Sequence, residues 1–240
     1  MRNISGENQP IHTISRAIEE KRIFNEESDC LRFIFQIYAT NFGKPAYNIC
    51  RSDIVKIVQA IFNNEEISSK FVIKEHNPLV HILDFALVVN HSHFYLVPNI
   101  HNGIAIFIQR LNIGFAKYFN LKYKRRGALF GSRYRAVPIK DQLQSDTVSR
   151  YISVINPLDI FQPGWRENGL KDWEAALDFL NHYRFSSFLD KIGARKSKII
   201  APPEILDQYL SISSQNTDDY KEFVEEFLKE RFNFPQFYLE

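Results

Sequence analysis

Polar and apolar positions along the chain follow two periods, and the period marks the element. Ile11 to Ile18 reads as a short strand, closed by the turn-like Glu19-Glu20-Lys21-Arg22. Ser28 then caps a run in which Leu31, Phe33, Ile34, Ile37 and Tyr38 recur at helical spacing, ending before Gly43-Lys44-Pro45. Ser52 caps a second helix carrying Ile54, Val55, Ile57, Val58 and Ile61, and Asn63 to Lys70 is polar and loop-like. Leu79 to Val89 and His91 to Val97 are rich in β-branched and aromatic residues and predict two strands, with Asn90 near their junction. Gly103 to about Tyr123 predicts a long helix with Ile104, Phe107, Ile108, Leu111, Phe115 and Phe119 along its apolar stripe, and Gly127 as a stop. Leu129 to Ile139 predicts another strand, and Thr147 to Ile155 a helix ended by Asn156-Pro157. Further helical runs lie near Trp173 to Tyr183, Pro203 to Leu210 and Tyr220 to Phe232.

The order strand, helix, inserted helix, strand, strand, helix, strand is an α+β pattern, a ferredoxin-like antiparallel sheet with helices on one face. That domain is expected over residues 1–198, with the inserted helix at about 51–64, and an acidic helical C-terminal extension follows over 199–240. The chain has 240 residues, 45% hydrophobic and 24% charged, enough to bury a sizeable core and outside the disordered, collagen-like and coiled-coil classes. No apolar run approaches the roughly 20 residues that span a bilayer, so no membrane association is expected. Two cysteines, Cys30 and Cys50, are too few for a disulfide framework, which points to a reducing compartment. Met1 to Pro10 lacks the apolar core of a signal peptide, and the expected location is cytoplasmic.

The net charge of +2 hides a polarity that bears on partners. Between Phe85 and Lys140 there is no Asp or Glu, while Arg110, Lys117, Lys122, Lys124, Arg125, Arg126, Arg133, Arg135 and Lys140 all fall there. From Ala201 to Glu240 nine acids face three bases. Tyr118, Tyr123 and Tyr134 are interleaved with the cations, and cations alternating with flat rings suit single-stranded nucleic acid, phosphates to the one and bases to the other.

Five of the seven histidines lie between His76 and His101, and the informative pair is His91-Ser92-His93. Residues two apart on a strand point to one face, so two imidazoles can share one metal ion, although a polar strand face would present the same pair. His12, His76, His81, His101 and His182 read as surface or hydrogen-bonded residues. Tyr151, mid-helix in Ser149-Arg150-Tyr151-Ile152, is either core or a nucleophile; a phenol can form a covalent intermediate when a metal polarises the phosphate it attacks.

In order along the chain these residues carry a resemblance. Ile14-Ser15-Arg16-Ala17 and Arg22-Ile23-Phe24, then Phe85-Ala86-Leu87-Val88-Val89-Asn90-His91-Ser92-His93, then Asn102-Gly103-Ile104, Phe107-Ile108-Gln109-Arg110-Leu111, Tyr118-Phe119-Asn120 and Tyr123 form the first part of the series. Gly127-Ala128-Leu129-Phe130 with Arg133-Tyr134-Arg135-Ala136, Arg150-Tyr151-Ile152 with Asn156-Pro157, and Phe185-Ser186-Ser187-Phe188 complete it. From about Ile11 to Gly193 the chain resembles the HUH-type single-strand DNA transposases that use one tyrosine, in particular the REP-associated tyrosine transposase branch.

The resemblance implies a role for each matching residue. His91 and His93 would hold one Mg²⁺ or Mn²⁺, and Tyr151 would attack a scissile phosphate, leaving a 5′-phosphotyrosine link and a free 3′-hydroxyl. The basic and aromatic residues Arg110, Lys117, Lys122, Lys124, Arg125, Arg126, Arg133, Tyr134 and Arg135 would bind single-stranded or hairpin DNA, and the protein would be a homodimer. Arg133 and Arg135, alternating with Tyr134, would share a strand face suited to backbone phosphates. Two positions depart from the family pattern. Ser92 stands where a bulky hydrophobe is usual, on the face away from the metal. The third ligand, usually four residues after the tyrosine, is replaced by Ile155. Asn156 stands five residues on, about 140° round a regular helix. It meets the metal only through a π-bulge or an unwinding at Pro157, the alternative being two histidines completed by water or DNA.

Two other functions fit the same residues. One is a DNA-binding protein of this fold with impaired catalysis, in which Tyr151 forms no adduct. The other is an RNA-binding module stacking bases on its sheet, for which paired exposed aromatics on adjacent central strands are not evident. Trp165, Trp173, Phe223, Phe227, Phe232, Phe234 and Phe237 read as amphipathic helices packing on the body or on a partner, with the acids of the tail solvated or guarding a basic groove.

Overall fold

The β-branched and aromatic runs do pair, and they set the centre of the molecule. Strand β1 (Ile11–Arg16) is followed by helix α1 (Glu27–Phe42), strand β2 (Gly43–Pro45), helix α2 (Arg51–Phe62), and strands β3 (Val72–Lys74), β4 (Val80–Val88) and β5 (His91–Pro98). Helix α3 (Gly103–Lys122) leads to β6 (Arg135–Pro138) and α4 (Gln142–Arg150). The computed structural model describes residues 9–46, 51–131, 133–211 and 217–233; residues 1–8, Cys50, Phe234 and Phe237 lie outside them. The main sheet is antiparallel with strand order β4-β5-β1-β6, the ferredoxin-like arrangement of an α+β fold, and β2 and β3 form a separate pair.

Alternation along each strand divides the sheet into two faces. Phe85, Leu87, Phe94 and Leu96 look onto α1 and α3, where Phe33, Ile34, Phe107, Leu111 and Phe115 close a first core. That is the helical face expected from the sequence. The opposite face is covered as well: Ala86, Tyr95 and Val97 pack under Ile152, Ile155 and Leu158 and under the helices that follow. These are α5 (Asn156–Phe161), α6 (Trp165–Asn168), α7 (Trp173–His182), α8 (Phe188–Lys191), α9 (Pro203–Tyr209) and α10 (Thr217–Asn233). Residues beyond 198 share this second core. Ala201 donates its N–H to Ile82 O, and Tyr220, Val224 and Leu228 of α10 are buried while its acids face outward. No described helix is long and apolar enough to cross a membrane.

Four local expectations change. Helix α1 is capped by Glu26, not Ser28, because Glu26 and Asp29 form a reciprocal capping box that satisfies two end donors at once. Helix α2 begins at Arg51, so Ser52 lies inside it. Strand pairing after α3 runs only over Arg135–Pro138; nearer α3 the contact with β1 and its continuation is a bridge between Phe130 and Ala17, with Gly131 N–H donating to Arg16 O and Ile18 N–H to Leu129 O. The helix bearing Tyr151 starts earlier, at Gln142, and is not stopped by Asn156-Pro157; it runs on to Phe161. Gly103, which opens α3, has no substitute there, since a Cβ would sit 2.2 Å from Leu79 O.

Candidate active site

Strand β5 delivers both histidines of the His-x-His pair to the second face. Their ring centroids are 4.7 Å apart, and both rings are buried. His91 Nδ1 lies 2.5 Å from Asn90 Oδ1, and Asn90 in turn donates its amide Nδ2 to Glu20 Oε2. Because the Asn90 amide nitrogen is committed to a carboxylate, its oxygen must accept, so His91 carries its proton on Nδ1 and keeps a lone pair on Nε2. His93 is held differently. Its Nδ1 is 3.0 Å from Nε2 of His12, which reaches across from β1, and its own Nε2 is buried with no hydrogen-bond partner.

His12 is thus hydrogen-bonded but not a surface residue; it is 6% exposed and stacks on His93 at 5.2 Å between centroids. Burial lowers His12 to about 4, helped by the Arg135 charge, and lowers His91 to about 3, helped by Arg16, Arg166 and His12. Burial also pushes His93 well down. All three rings are neutral at pH 7, the state in which an imidazole nitrogen can be a ligand. Of the remaining histidines, His76, His81 and His182 are hydrogen-bonded near the surface and His101 is exposed.

Tyr151 comes to the same place from the helix above. Its ring meets His93 edge-on at 5.7 Å and His12 at 5.9 Å, and it is 3% exposed. The helix changes register here: Tyr151–Ile155 is a π-turn, in which Asn156 N–H bonds Tyr151 O five residues back. A turn closed i→i+5 stacks residues five apart as an α-helix stacks residues four apart, so the extra residue before Asn156 is absorbed and Asn156 returns to the side of Tyr151. The same switch explains why Pro157 does not end the helix. The wider turn relieves the ring clash with the carbonyl behind, and a proline has no N–H to leave unpaired.

A residue that the sequence does not single out joins them. Arg166 sits in the four-residue α6, behind Gly164, whose φ of +77° lets the chain reverse after α5. The fully buried Trp165 anchors that turn, and its Nε1 and Arg166 Nε both donate to Asp159 Oδ1 at 2.9 Å. Arg166 Nη2 is 2.6 Å from Asp159 Oδ2 and 3.1 Å from Asn156 Oδ1, and Nη1 is 3.5 Å from Tyr151 Oη. Its guanidinium carbon lies 5.1 Å from the Tyr151 ring centroid. One guanidinium therefore spans the phenol and the carboxamide. No motif marks it in the sequence, since the contact depends on a chain reversal between Gly164 and Gly169.

The basic residues between Phe85 and Lys140 do not form one uniform surface. Lys122 is taken up by the buried Asp29, at 2.6 Å, and by Glu26 at 3.0 Å; Tyr118 and Tyr123 also donate to Asp29. Arg125 is tied to Asn120 Oδ1 and Ala128 O, and Arg110 lies 3.4 Å from His76. Lys117, Lys124, Arg126, Arg133 and Arg135 are exposed. Arg133 precedes the strand, so it does not share a ladder face with Arg135; Arg135 is paired opposite Ile14, on the histidine side. Tyr134 packs half-buried against the first core. Ser92 is fully buried on the face away from the histidines, and its hydroxyl has no partner.

No protein-family model and no curated protein sequence matches the chain. A solved structure similar to it is that of a REP-associated tyrosine transposase bound to a REP hairpin. The two are 12% identical, the match covers 80% of this chain and 84% of that one, and the TM-score is 0.45. At that distance the chemistry has to be read from this chain's own residues.

The metal implied by the sequence resemblance can be tested against the donors present. Among the described residues there is no group of three or more His, Cys, Asp or Glu side chains that could hold an ion. The candidate donors are the lone pair of His91 Nε2, the unpartnered Nε2 of His93, and Asn156 Oδ1, which still has a second lone pair beside its bond to Arg166. A buried, unpartnered ring nitrogen costs roughly 1–3 kcal/mol, and a cation at His93 would remove that cost. Two imidazoles with a carboxamide oxygen fit a divalent ion that completes its shell with other oxygens.

Proposed function

We propose that this chain is a DNA strand transferase that cleaves and rejoins single-stranded or hairpin DNA through Tyr151, a member of the HUH-type single-tyrosine group that its motifs resemble. The reading is carried by one observation: Tyr151, brought from a helix 58 residues further along the chain, meets the paired neutral histidines edge-on at 5.7 Å, with a ring nitrogen of His93 left unpartnered beside it. His91 and His93 would hold Mg²⁺ or Mn²⁺, with Asn156 as a third donor; the ion, when bound, supplies polarisation of the scissile phosphate. Tyr151 Oη forms a bond to phosphorus as the P–O3′ bond breaks in line, and the phenolic proton leaves to solvent while the 3′-oxygen takes one up. The products are a 5′-phosphotyrosine link and a free 3′-hydroxyl. Attack by another 3′-hydroxyl reverses the step and joins the strands, so no nucleotide energy source is needed. The exposed Lys117, Lys124, Arg126, Arg133 and Arg135 are suited to backbone phosphates.

A second reading, DNA binding without cleavage, is favoured by the 3% exposure of Tyr151, because a phosphate can reach Oη only if neighbouring side chains move. Purified protein mixed with hairpin oligonucleotides and Mn²⁺ and run on a denaturing gel separates the two. A covalent adduct lost in Tyr151→Phe and in His91→Ala supports strand transfer. Salt-sensitive binding with no adduct across several metals and sites supports the second reading.

A further inference from the structure

The structure assigns Arg166 a role in the reaction proposed above: it is the positioning residue that fixes Tyr151 and Asn156 relative to one another. This inference rests on Tyr151 being the nucleophile. Tyr151 has ring contacts to His93 and His12 on one side, edge contacts at 5.7 and 5.9 Å. Arg166 adds a contact to the phenolic oxygen that also reaches Asn156. Its guanidinium carbon lies 5.1 Å from the ring centroid, Nη1 stands 3.5 Å from Oη, and Nη2 bonds Asn156 Oδ1 at 3.1 Å. A π-turn has a wider and less tightly packed hydrogen-bond ladder than an α-helix, so the two side chains that flank it need an external brace if they are to keep one relative position.

The brace is itself fixed. Asp159 takes Nε and Nη2 side by side, and Asp159 is held by the buried Trp165. Such a paired, planar contact sets the direction of the remaining guanidinium edge, which a lysine cannot reproduce. Lysine at 166 would keep a positive charge beside Asp159 but has one nitrogen, so it cannot hold Asp159 while reaching both Oη and Oδ1. Misplacement of a reacting group by about 1 Å is enough to cost on the order of a hundredfold in rate.

The test uses the full chain, a labelled single-stranded hairpin oligonucleotide and Mn²⁺, with Arg166→Lys, Asp159→Asn and Tyr151→Phe. Arg166→Lys is expected to slow adduct formation at saturating DNA by about a hundredfold. Its DNA affinity and melting temperature should stay close to wild type, and Asp159→Asn should fall between the two. An unchanged rate in Arg166→Lys, or a rate that falls only in step with affinity or melting temperature, overturns the positioning role. An adduct that survives in Tyr151→Phe overturns the reading beneath it instead.

A second measurement does not depend on turnover. In protein carrying ¹³C-labelled tyrosine, the Tyr151 ring resonances are found by their loss in Tyr151→Phe. Arg166→Lys should shift or average them while other tyrosines away from the site stay put. Resonances that do not move overturn the proposal even if no oligonucleotide ever gives an adduct.

Discussion

Three neutral imidazoles packed together make the fold sensitive to mild acid, and the sign follows from which state binds the proton. Below about pH 6.5 each unfolded histidine is protonated, whereas native His12 holds out to about 4 and His91 to about 3, and burial pushes His93 well down too. Between those limits the unfolded chain binds more protons, so stability is fully present above pH 6.5 and is lost as pH falls toward 4. One histidine costs about 1.4 kcal/mol per pH unit once its unfolded form is protonated. Three together cost about 4 kcal/mol between pH 7 and 5.5, a large share of the roughly 5–15 kcal/mol that holds a domain. For a chain of this length that lowers the melting temperature by about 8–16 °C. Buried Asp84, whose carboxyl is pushed up by burial, acts in the opposite direction, but it is one group against three and is paired with Lys191 at 3.1 Å. The assay is a series of thermal melts from pH 7.5 to 5 in EDTA, above the range in which ordinary carboxylates titrate. His12→Gln should remove about a third of the slope. A wild-type melting temperature that moves by less than 3 °C between pH 7 and 5.5 would refute the buried, neutral cluster.

The remaining predictions concern packing and DNA contact. Ser92→Ala removes a buried hydroxyl with no partner and should raise stability by about 1 kcal/mol in denaturant titrations, leaving the histidine face untouched. Asp29→Asn takes the charge from the centre of the Lys122, Tyr118 and Tyr123 cluster and should cost about 3 kcal/mol or more, measured the same way. Deleting Ile155 should convert the π-turn to a regular α-turn without moving the flanking helices; the expected result is a folded protein less stable by about 2–5 kcal/mol for the lost buried side chain, seen by circular dichroism and melting. Replacing Lys124 or Arg126 by Ala should lower the slope of log affinity against log salt by about 0.7 for single-stranded DNA, while Lys122→Ala should act mainly on stability.

What could be read from the sequence is what depends on period and chain order. The strands, α1 and α3 follow from apolar spacing, and the His-x-His pair was placed on one strand face because strand geometry allows nothing else. Boundaries failed where a tertiary partner decides them: β6 extends only over the Arg135–Pro138 stretch that pairs with β1, and Glu26 wins the cap from Ser28 because Asp29 answers it. The basic residues look alike in sequence, yet Lys122 is neutralised by an acid 93 residues away, a distance over which no local pattern carries information.

The most instructive position is Asn156. Counted along an α-helix it belongs on the wrong side of Tyr151, and only a one-residue irregularity could return it. The sequence contains the reason for that irregularity without announcing it. Pro157 cannot sit one turn into a continuing α-helix without a clash and a lost bond, while Ile152, Val154, Ile155 and Leu158 are all apolar enough to keep the segment pressed on the sheet on both sides of the proline. With the flanks held down and the proline unable to take the tighter turn, the surplus residue is accommodated as an i→i+5 turn between them, and the side chains of Tyr151 and Asn156 are left facing the Arg166 guanidinium that bridges them. Helix strain and site geometry are here the same event, which is why a change at Pro157 bears on the position of the nucleophile as directly as a change at Arg166.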